Sequence, residues 1–225
     1  MTFSLVARCA ETGMFGVAVS SSSPAVAARC AYARAGVGAV ASQNVTDPTL
    51  GPACLDLMQA GASAREAVAE LVSQRDYMAF RQLLAVDARG VVAIHSGAKA
   101  LGVVGEATGA GVVSAGNLLA APGVPAAVVA GFEAATGHLG DRLVAAMQAG
   151  LAAGGEAGPV HSAGMMLVDK VAWPVAELRC DWDDAGAPIA AMARAWDVYK
   201  PQLEDYVTRA LDPSEAPSYG VPGDA

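Results

Sequence analysis

The chain has few aromatic and few charged residues. Aromatic side chains make up 5% of its 225 residues and charged side chains 16%, whereas 54% are hydrophobic, mostly Ala and Val. This hydrophobic content excludes a disordered chain, and with 25 glycines it indicates tight packing with close backbone approaches. The length fits one domain. We expect that domain over residues 1–211, followed by a Pro/Gly-rich arm at 212–225.

Basic clusters and long apolar runs are also missing. The formal net charge is −8 and Lys and Arg are scattered, which argues against nucleic acid and anionic membranes as partners. No apolar run reaches the length of a membrane span, and the first residues lack the pattern of a secretory signal. Four cysteines without a CxxC pair are typical of reduced thiols. We therefore expect a cytoplasmic protein.

Several common catalytic and binding motifs are missing too. The sequence contains no GxGxxG, Walker, HExxH or GxSxG pattern, so we expect no nucleotide cofactor. The spacing of His95, His138 and His161 matches no zinc signature, and we expect no metal. The acidic run Asp181–Asp184 is compatible with a divalent cation and also with a solvated turn between a strand and a helix.

What the sequence does contain is a regular order of strands and helices. Two strands come first, and two helix pairs then alternate with further strands in hairpins. Pro24 and Gly36 predict a helix over residues 23–36 with Ser23 as its N-cap. Two antiparallel sheets stacked face to face, each covered by helices, satisfy this order, whereas a doubly wound parallel fold does not.

Thr2 is the first candidate catalytic residue. If Met1 is removed, Thr2 carries a free α-amine beside its own hydroxyl, and the amine can take the proton as the hydroxyl attacks. The alternative is that Thr2 only begins an edge strand, because threonine suits strands.

Further candidates stand where strands end. Ser20, in the run Ser20–Ser23, offers a hydroxyl for an anion or only a turn. Gln43 and Asn44 follow a small-residue strand and could orient a polar substrate. Asn117 could donate its amide to a developing oxyanion, as could the backbone N–H of Leu118.

Two histidines and one glutamate complete the set of candidates. His95 lies on a strand and is either structural or a general base near neutral pH. Glu156 and His161 lie in a glycine-rich stretch that leads into a strand, and we expect them to contact a substrate.

The chain resembles a bacterial family, domain-of-unknown-function family 1028, which is grouped with the Ntn-hydrolase-like folds. The segments that carry the resemblance are MTFSLVAR, ETG, FGVAVSS, ARAGVGAVASQ, DPTLGP, LDLM, AGN with LLA, and DYVTRALDPSEAPSYGVPGD. The resemblance implies an α+β fold, a four-layer αββα sandwich. In Ntn-like proteins the catalytic residue is typically the first residue of a processed chain, and only Thr2 matches that position. The sequence shows no propeptide, so we do not expect self-cleavage at an internal nucleophile.

These observations lead to one main functional hypothesis and two alternatives. The main one is a small-molecule hydrolase of C–N bonds in an amide, imide or cyclic amidine, with Thr2 as nucleophile or, if Met1 stays, a water activated by His95 or a carboxylate. One alternative is a catalytically silent metabolite-binding or assembly protein, and the other a metal-dependent enzyme. We also expect a homo-oligomer, a dimer or higher, with the C-terminal arm bridging protomers.

Overall fold

The computed structural model describes residues 1–221 of the chain. Its strands are Thr2–Arg8 (β1), Phe15–Ser21 (β2), Ala31–Arg34 (β3), Gly38–Asn44 (β4), Arg81–Asp87 (β5), Val92–Ser96 (β6), Gly105–Gly109 (β7), Val112–Asn117 (β8), Ser162–Val168 (β9) and Ala176–Cys180 (β10). Its helices are Ala27–Cys30 (α1), Leu50–Gln59 (α2), Ala64–Gln74 (α3), Val124–Ala134 (α4), Leu139–Ala152 (α5), Pro188–Tyr199 (α6) and Leu203–Leu211 (α7).

The strands form two antiparallel sheets. One sheet has the order β10-β9-β2-β1-β8-β7 and the other β3-β4-β5-β6. Helices α4, α5 and α6 pack on the outer face of the first sheet, and α2 and α3 on the outer face of the second. A third apolar cluster lies between the two sheets. The four-layer αββα sandwich expected for this α+β chain is therefore confirmed.

The side chains of strand β1 point alternately toward the helix layer and toward the opposing sheet. Its odd-numbered residues Phe3, Leu5 and Ala7 pack with the helices, whereas Val6 belongs to the cluster between the sheets. Side chains alternate between the faces of a strand, so Thr2 and Ser4 face the opposing sheet with Val6. The first strand thus carries two hydroxyls into the interface of the sandwich.

The helix predicted over residues 23–36 is mostly wrong. Only Ala27–Cys30 is helical, Ser23 makes no N-cap, and the chain turns at Ala31 into β3. Strand β3 pairs with β4, with Ala31 opposite Ala41. Formation of a tight hairpin with the next strand thus overrides the local helical pattern.

Other local features follow directly from the nearby sequence. Ser63 and Glu66 have the spacing of a capping box and form one at the start of α3. Pro201 lies in a 3₁₀ turn, Lys200–Gln202, that separates α6 from α7. The described part of the arm folds back on α7, because Arg209 donates to the carbonyl of Pro217 and stacks on Tyr219. The rest of the arm, 222–225, lies outside the described residues.

In the described part of the chain, no helix is both long enough and apolar enough to cross a membrane.

Candidate active site at one end of the sheet interface

Most of the space between the sheets is filled by Val, Leu, Ala and Phe side chains, but one end is polar. Strand alternation directs hydroxyl and amide side chains from both sheets toward each other there. We call this group the polar cluster, and its members are Thr2, Ser4, Ser21, Gln43, Gln82, Ser96 and Asn117. Buried polar groups are costly unless they are hydrogen-bonded, so the bonds within the cluster decide what it can do.

Two glutamines connect the sheets, and their amide orientations are fixed. Gln43 Nε2 donates to the carbonyl of Ala115 at 3.1 Å, and Gln82 Nε2 donates to the carbonyl of Gly116 at 3.2 Å. A carbonyl oxygen only accepts, so each Oε1 must be an acceptor. Gln43 Oε1 accepts from Ser4 Oγ at 2.6 Å, and Gln82 Oε1 accepts from Gln43 Nε2 at 2.7 Å.

This arrangement determines the role left to Asn117. Its Nδ2 donates to Gln82 Oε1 at 3.2 Å, and its buried Oδ1 has no hydrogen-bond partner among residues 1–221. The buried atom left without a partner is therefore an acceptor, while one of the two N–H groups of Nδ2 is used by Gln82. Donation from Asn117 to an oxyanion stays a prediction. The predicted donation from the Leu118 N–H to an oxyanion is not available in this structure, because that N–H donates to the carbonyl of Leu101 at 2.9 Å.

Thr2 lies at the edge of the polar cluster, opposite Asn117 in the sheet and only 6% exposed. Its hydroxyl contacts the carbonyl oxygen of Met1 and lies 3.4 Å from Ser21 Oγ. Ser21 Oγ accepts the Ser23 N–H at 3.0 Å and donates to the same Met1 carbonyl at 2.5 Å. The hydroxyl of Thr2, the candidate nucleophile, and the hydroxyl of Ser21, which the Ser23 N–H orients, thus contact the same carbonyl oxygen.

Ser21, and not Ser20, is the serine that joins Thr2. Ser20 is buried on the opposite face of β2 and donates its hydroxyl to the carbonyl of Ser162 at 3.0 Å. The predicted contact of Ser20 with a substrate is therefore wrong by one position. The physical reason is alternation: Phe3 pairs with Ser20, and both point toward the helices.

Glu156 lies at the same end of the sandwich. It is 4% exposed and bridges to Leu119, just beyond Asn117. Its Oε2 accepts the Ser22 N–H at 3.0 Å, and its Oε1 has no hydrogen-bond partner in the described part of the chain. Burial raises the pKa of Glu156 to about 7, while the positive charge of the Met1 amine, the bonds from Ser22 and the charge of His161 act in the opposite direction.

The raised pKa of Glu156 predicts a pH-dependent stability for protein that carries Met1. The folded state holds the proton up to about pH 7, whereas an unfolded Glu releases it near pH 4.3. The free energy of unfolding of wild type relative to Glu156→Gln should therefore fall as pH rises through this window, by on the order of 3 kcal/mol. Urea unfolding from pH 4.5 to 8 measures the difference, and exposed Glu106→Gln is the control. A difference independent of pH would contradict the prediction.

His161 and Asn44 have mainly structural contacts. His161 Nδ1 donates to the carbonyl of Asp183 at 2.8 Å, and its ring stacks on Trp182. Asn44 has a positive φ of 76° and ties two loops, donating to Phe80 O and accepting from Leu101 N. His161 still influences the site through its charge beside Glu156.

His95 is not brought to Thr2. It pairs with Leu83, which packs against α2 and α3, so its side chain faces the helix layer while Ser96 faces the polar cluster. Its Nε2 donates to the carbonyl of Met78 at 2.9 Å. This position agrees with the structural alternative for His95 and does not support the other expectation, a general base that activates a water at the polar cluster if Met1 stays.

The acidic run is occupied by local contacts. Asp181 pairs with Arg179, Asp183 accepts backbone N–H groups, and Asp184 accepts from Trp182. Among residues 1–221, no group of three or more His, Cys, Asp or Glu side chains is placed to hold a metal ion. The metal-dependent alternative therefore has no ligand set in the part of the chain that the structure describes.

Ser4, Gln82 and Ser96 are site residues that sequence reasoning missed, and Ser21 was included only as part of the run Ser20–Ser23. The alternation of β1 could have identified Ser4, which follows Thr2 on the same face. Gln82 carried no local signal, because only the pairing of β4 with β5 places it beside Gln43.

Comparisons with known proteins agree with the observed fold. The crystal structure of protein SPO2555 from Silicibacter pomeroyi, labelled with the family model DUF1028, is 29% identical with a TM-score of 0.82, over 88% of each chain. Anbu (ancestral beta-subunit) from Yersinia bercovieri is 10% identical with a TM-score of 0.38, over 97% of this chain and 100% of its own, which is too weak to carry an argument. No curated protein matches. The model of DUF1028, a family of unknown function, matches residues 2–192, most of the chain but not the arm, and the chain therefore belongs to that family.

Proposed function

We propose that the protein is a hydrolase that cleaves a C–N bond in a small amide, with Thr2 as nucleophile once Met1 has been removed. The observation that carries this proposal is the pair of hydroxyls, from Thr2 and Ser21, at the carbonyl oxygen of Met1. A carbonyl placed there has the Thr2 oxygen beside it and a hydrogen-bond donor at its oxygen. The Ntn-hydrolase-like fold implied by the sequence resemblance adds support, because the catalytic residue of such proteins begins the processed chain.

The polar cluster supplies the remaining groups. Removal of Met1 leaves an α-amine on Thr2, which takes the hydroxyl proton during attack. The unpartnered Oδ1 of Asn117, directly across the sheet from Thr2, accepts an N–H of that amine and orients it. Ser21, held by the Ser23 N–H, donates to the oxygen that becomes negative in the tetrahedral intermediate. The Gln43–Gln82 bridge fixes Asn117 and thus the geometry of the site.

The test combines the state of the N-terminus with a search for activity. We expect intact mass spectrometry of protein made without an N-terminal tag to show loss of one methionine. A panel of amides, cyclic imides and carbamoyl compounds, assayed for ammonia or amine release, should then contain a substrate. Full activity in protein that retains Met1 would contradict the Thr2 mechanism. Binding of panel members without turnover would favour a catalytically silent binding protein. Homo-oligomerisation and cytoplasmic location stay predictions.

A further inference from the structure

Met1 occupies a defined space beside Thr2, and its contacts describe what fits there. Its carbonyl oxygen is held by the hydroxyls of Thr2 and Ser21. Its side chain passes Gly158, where an added Cβ atom would come within 3.6 Å of Met1 Cε. The space beside the nucleophile therefore already contains an α-aminoacyl group, with its carbonyl where the proposed chemistry needs one.

Glu156 adds a second, independent observation about this space. Its Oε1 is buried and has no hydrogen-bond partner among the residues that the structure describes, while its Oε2 accepts the Ser22 N–H. An unpaired carboxylate oxygen in the interior is costly and is normally matched by a cationic or donor group. The positive charge of the Met1 amine acts on this carboxylate in the structure. When Met1 leaves, the terminal amine becomes that of Thr2, and the space that Met1 occupied no longer holds the positive charge that acted on Glu156 from there.

We propose that the substrate is an amide of an α-amino acid with a free amino group, which binds with its ammonium toward Glu156 in the space that Met1 occupies. This inference rests on the proposed function, because the same Thr2 and Ser21 hydroxyls receive the substrate carbonyl. The contact of Met1 with Gly158 favours an unbranched, apolar side chain of about the length of methionine.

The charge of Glu156 also determines which acyl groups are rejected. An N-acylated amino acid amide has no ammonium, so its binding would bury the carboxylate without a partner. An acyl group that carries a carboxylate in this position would meet a like charge. Selectivity for the free amine therefore arises from Glu156 Oε1, the oxygen whose burial without a partner costs free energy in the empty site.

The reaction balances with water as the only co-reactant. Thr2 Oγ1 forms a bond to the carbonyl carbon, and its proton passes to the Thr2 amine. The C–N bond of the substrate breaks, and the leaving nitrogen takes that proton. Water then attacks the ester on Thr2, which releases the amino acid and returns a proton to the Thr2 oxygen. No electron transfer is involved.

Binding provides a test that does not depend on turnover. Protein that begins at residue 2, confirmed by intact mass, is prepared with the Thr2→Ala substitution and titrated by calorimetry with L-methioninamide and with N-acetyl-L-methioninamide. We expect the free amine to bind at least about 30-fold more tightly. Adding Glu156→Gln should reduce this preference to within about 3-fold, whereas the exposed control Glu106→Gln should leave it unchanged.

Turnover by the wild type separates the two proposals. If Thr2→Ala prefers L-methioninamide but the wild type releases no ammonia from it, the substrate site stands and the hydrolase proposal fails. If the wild type cleaves both amides equally well, the hydrolase stands and the substrate class is overturned. Absence of binding by both ligands, or a preference that Glu156→Gln does not change, also overturns the substrate class.

Discussion

Replacing Thr2 by alanine is expected to lower kcat/KM for amide hydrolysis by at least about 10³-fold, because removal of a catalytic nucleophile typically has an effect of this size or larger. Alanine removes the only atom that attacks in the proposed mechanism, while its small size still allows removal of Met1. Thr2 closes one end of β1 without supporting the apolar core, so the midpoint of thermal unfolding should change little. Amide hydrolysis and unfolding measured on the same preparation test both expectations.

Two further variants make the Thr2 experiment specific. Thr2→Ser keeps a hydroxyl and an α-amine and should retain activity within about 10-fold of wild type. Thr108→Ala removes an exposed threonine hydroxyl from β7, far in the sheet from the strand end that carries Thr2, and should leave kcat/KM unchanged. Full activity in Thr2→Ala would exclude Thr2 as nucleophile, whatever the state of Met1.

The sequence predicted the layers of this fold better than the composition of its site. Periodicity and turn signals predicted the two initial strands, the later hairpins and the helix pairs between them, because those patterns reflect short-range physics. The helix expected over 23–36 failed at Ala31, where pairing with β4 decides the structure. Gly36, which was interpreted as the end of that helix, instead lies in the turn between β3 and β4 with a positive φ of 71°.

The site residues show the same division between local and long-range information. Thr2 was predicted from its position after Met1, and Gln43 and Asn117 were predicted from polarity at strand ends. The structure brings the three together. Ser20 and His95 do not join them because each lies on the opposite face of its strand from the polar cluster. A shift of one residue along a strand places a side chain on the opposite face of the sheet. A single sequence does not determine which face a residue near a strand end occupies.

Glu156 was predicted as a substrate contact from its glycine-rich surroundings alone. Its significance lies in burial and in an unpartnered oxygen, and both arise from the packing of three chain segments around it. Neither property can be read from the residues GGEAG. The structure thereby turned a general expectation of substrate contact into a hypothesis about one charged group of the substrate.

Replacing Gln82 by alanine should give the largest loss of stability in the polar cluster. Its Oε1 accepts from Gln43 and Asn117, and its Nε2 donates to Ser96 and Gly116, all between the sheets. Alanine leaves these buried groups short of partners and opens a cavity, so we expect a loss of about 3–5 kcal/mol in the free energy of unfolding.

Urea unfolding of Gln82→Ala beside Gln74→Ala provides the measurement and its control. Gln74 is exposed on α3 and bonds only to Glu70 on the same helix, at 3.3 Å, so its removal should change stability by less than about 0.5 kcal/mol. A loss below about 1 kcal/mol for Gln82→Ala would mean that the amide bridge does not hold the sheets together. Because the same bridge fixes Asn117 opposite Thr2, any folded Gln82→Ala protein should also lose activity. The polar end of the interface would then serve stability and catalysis through one side chain.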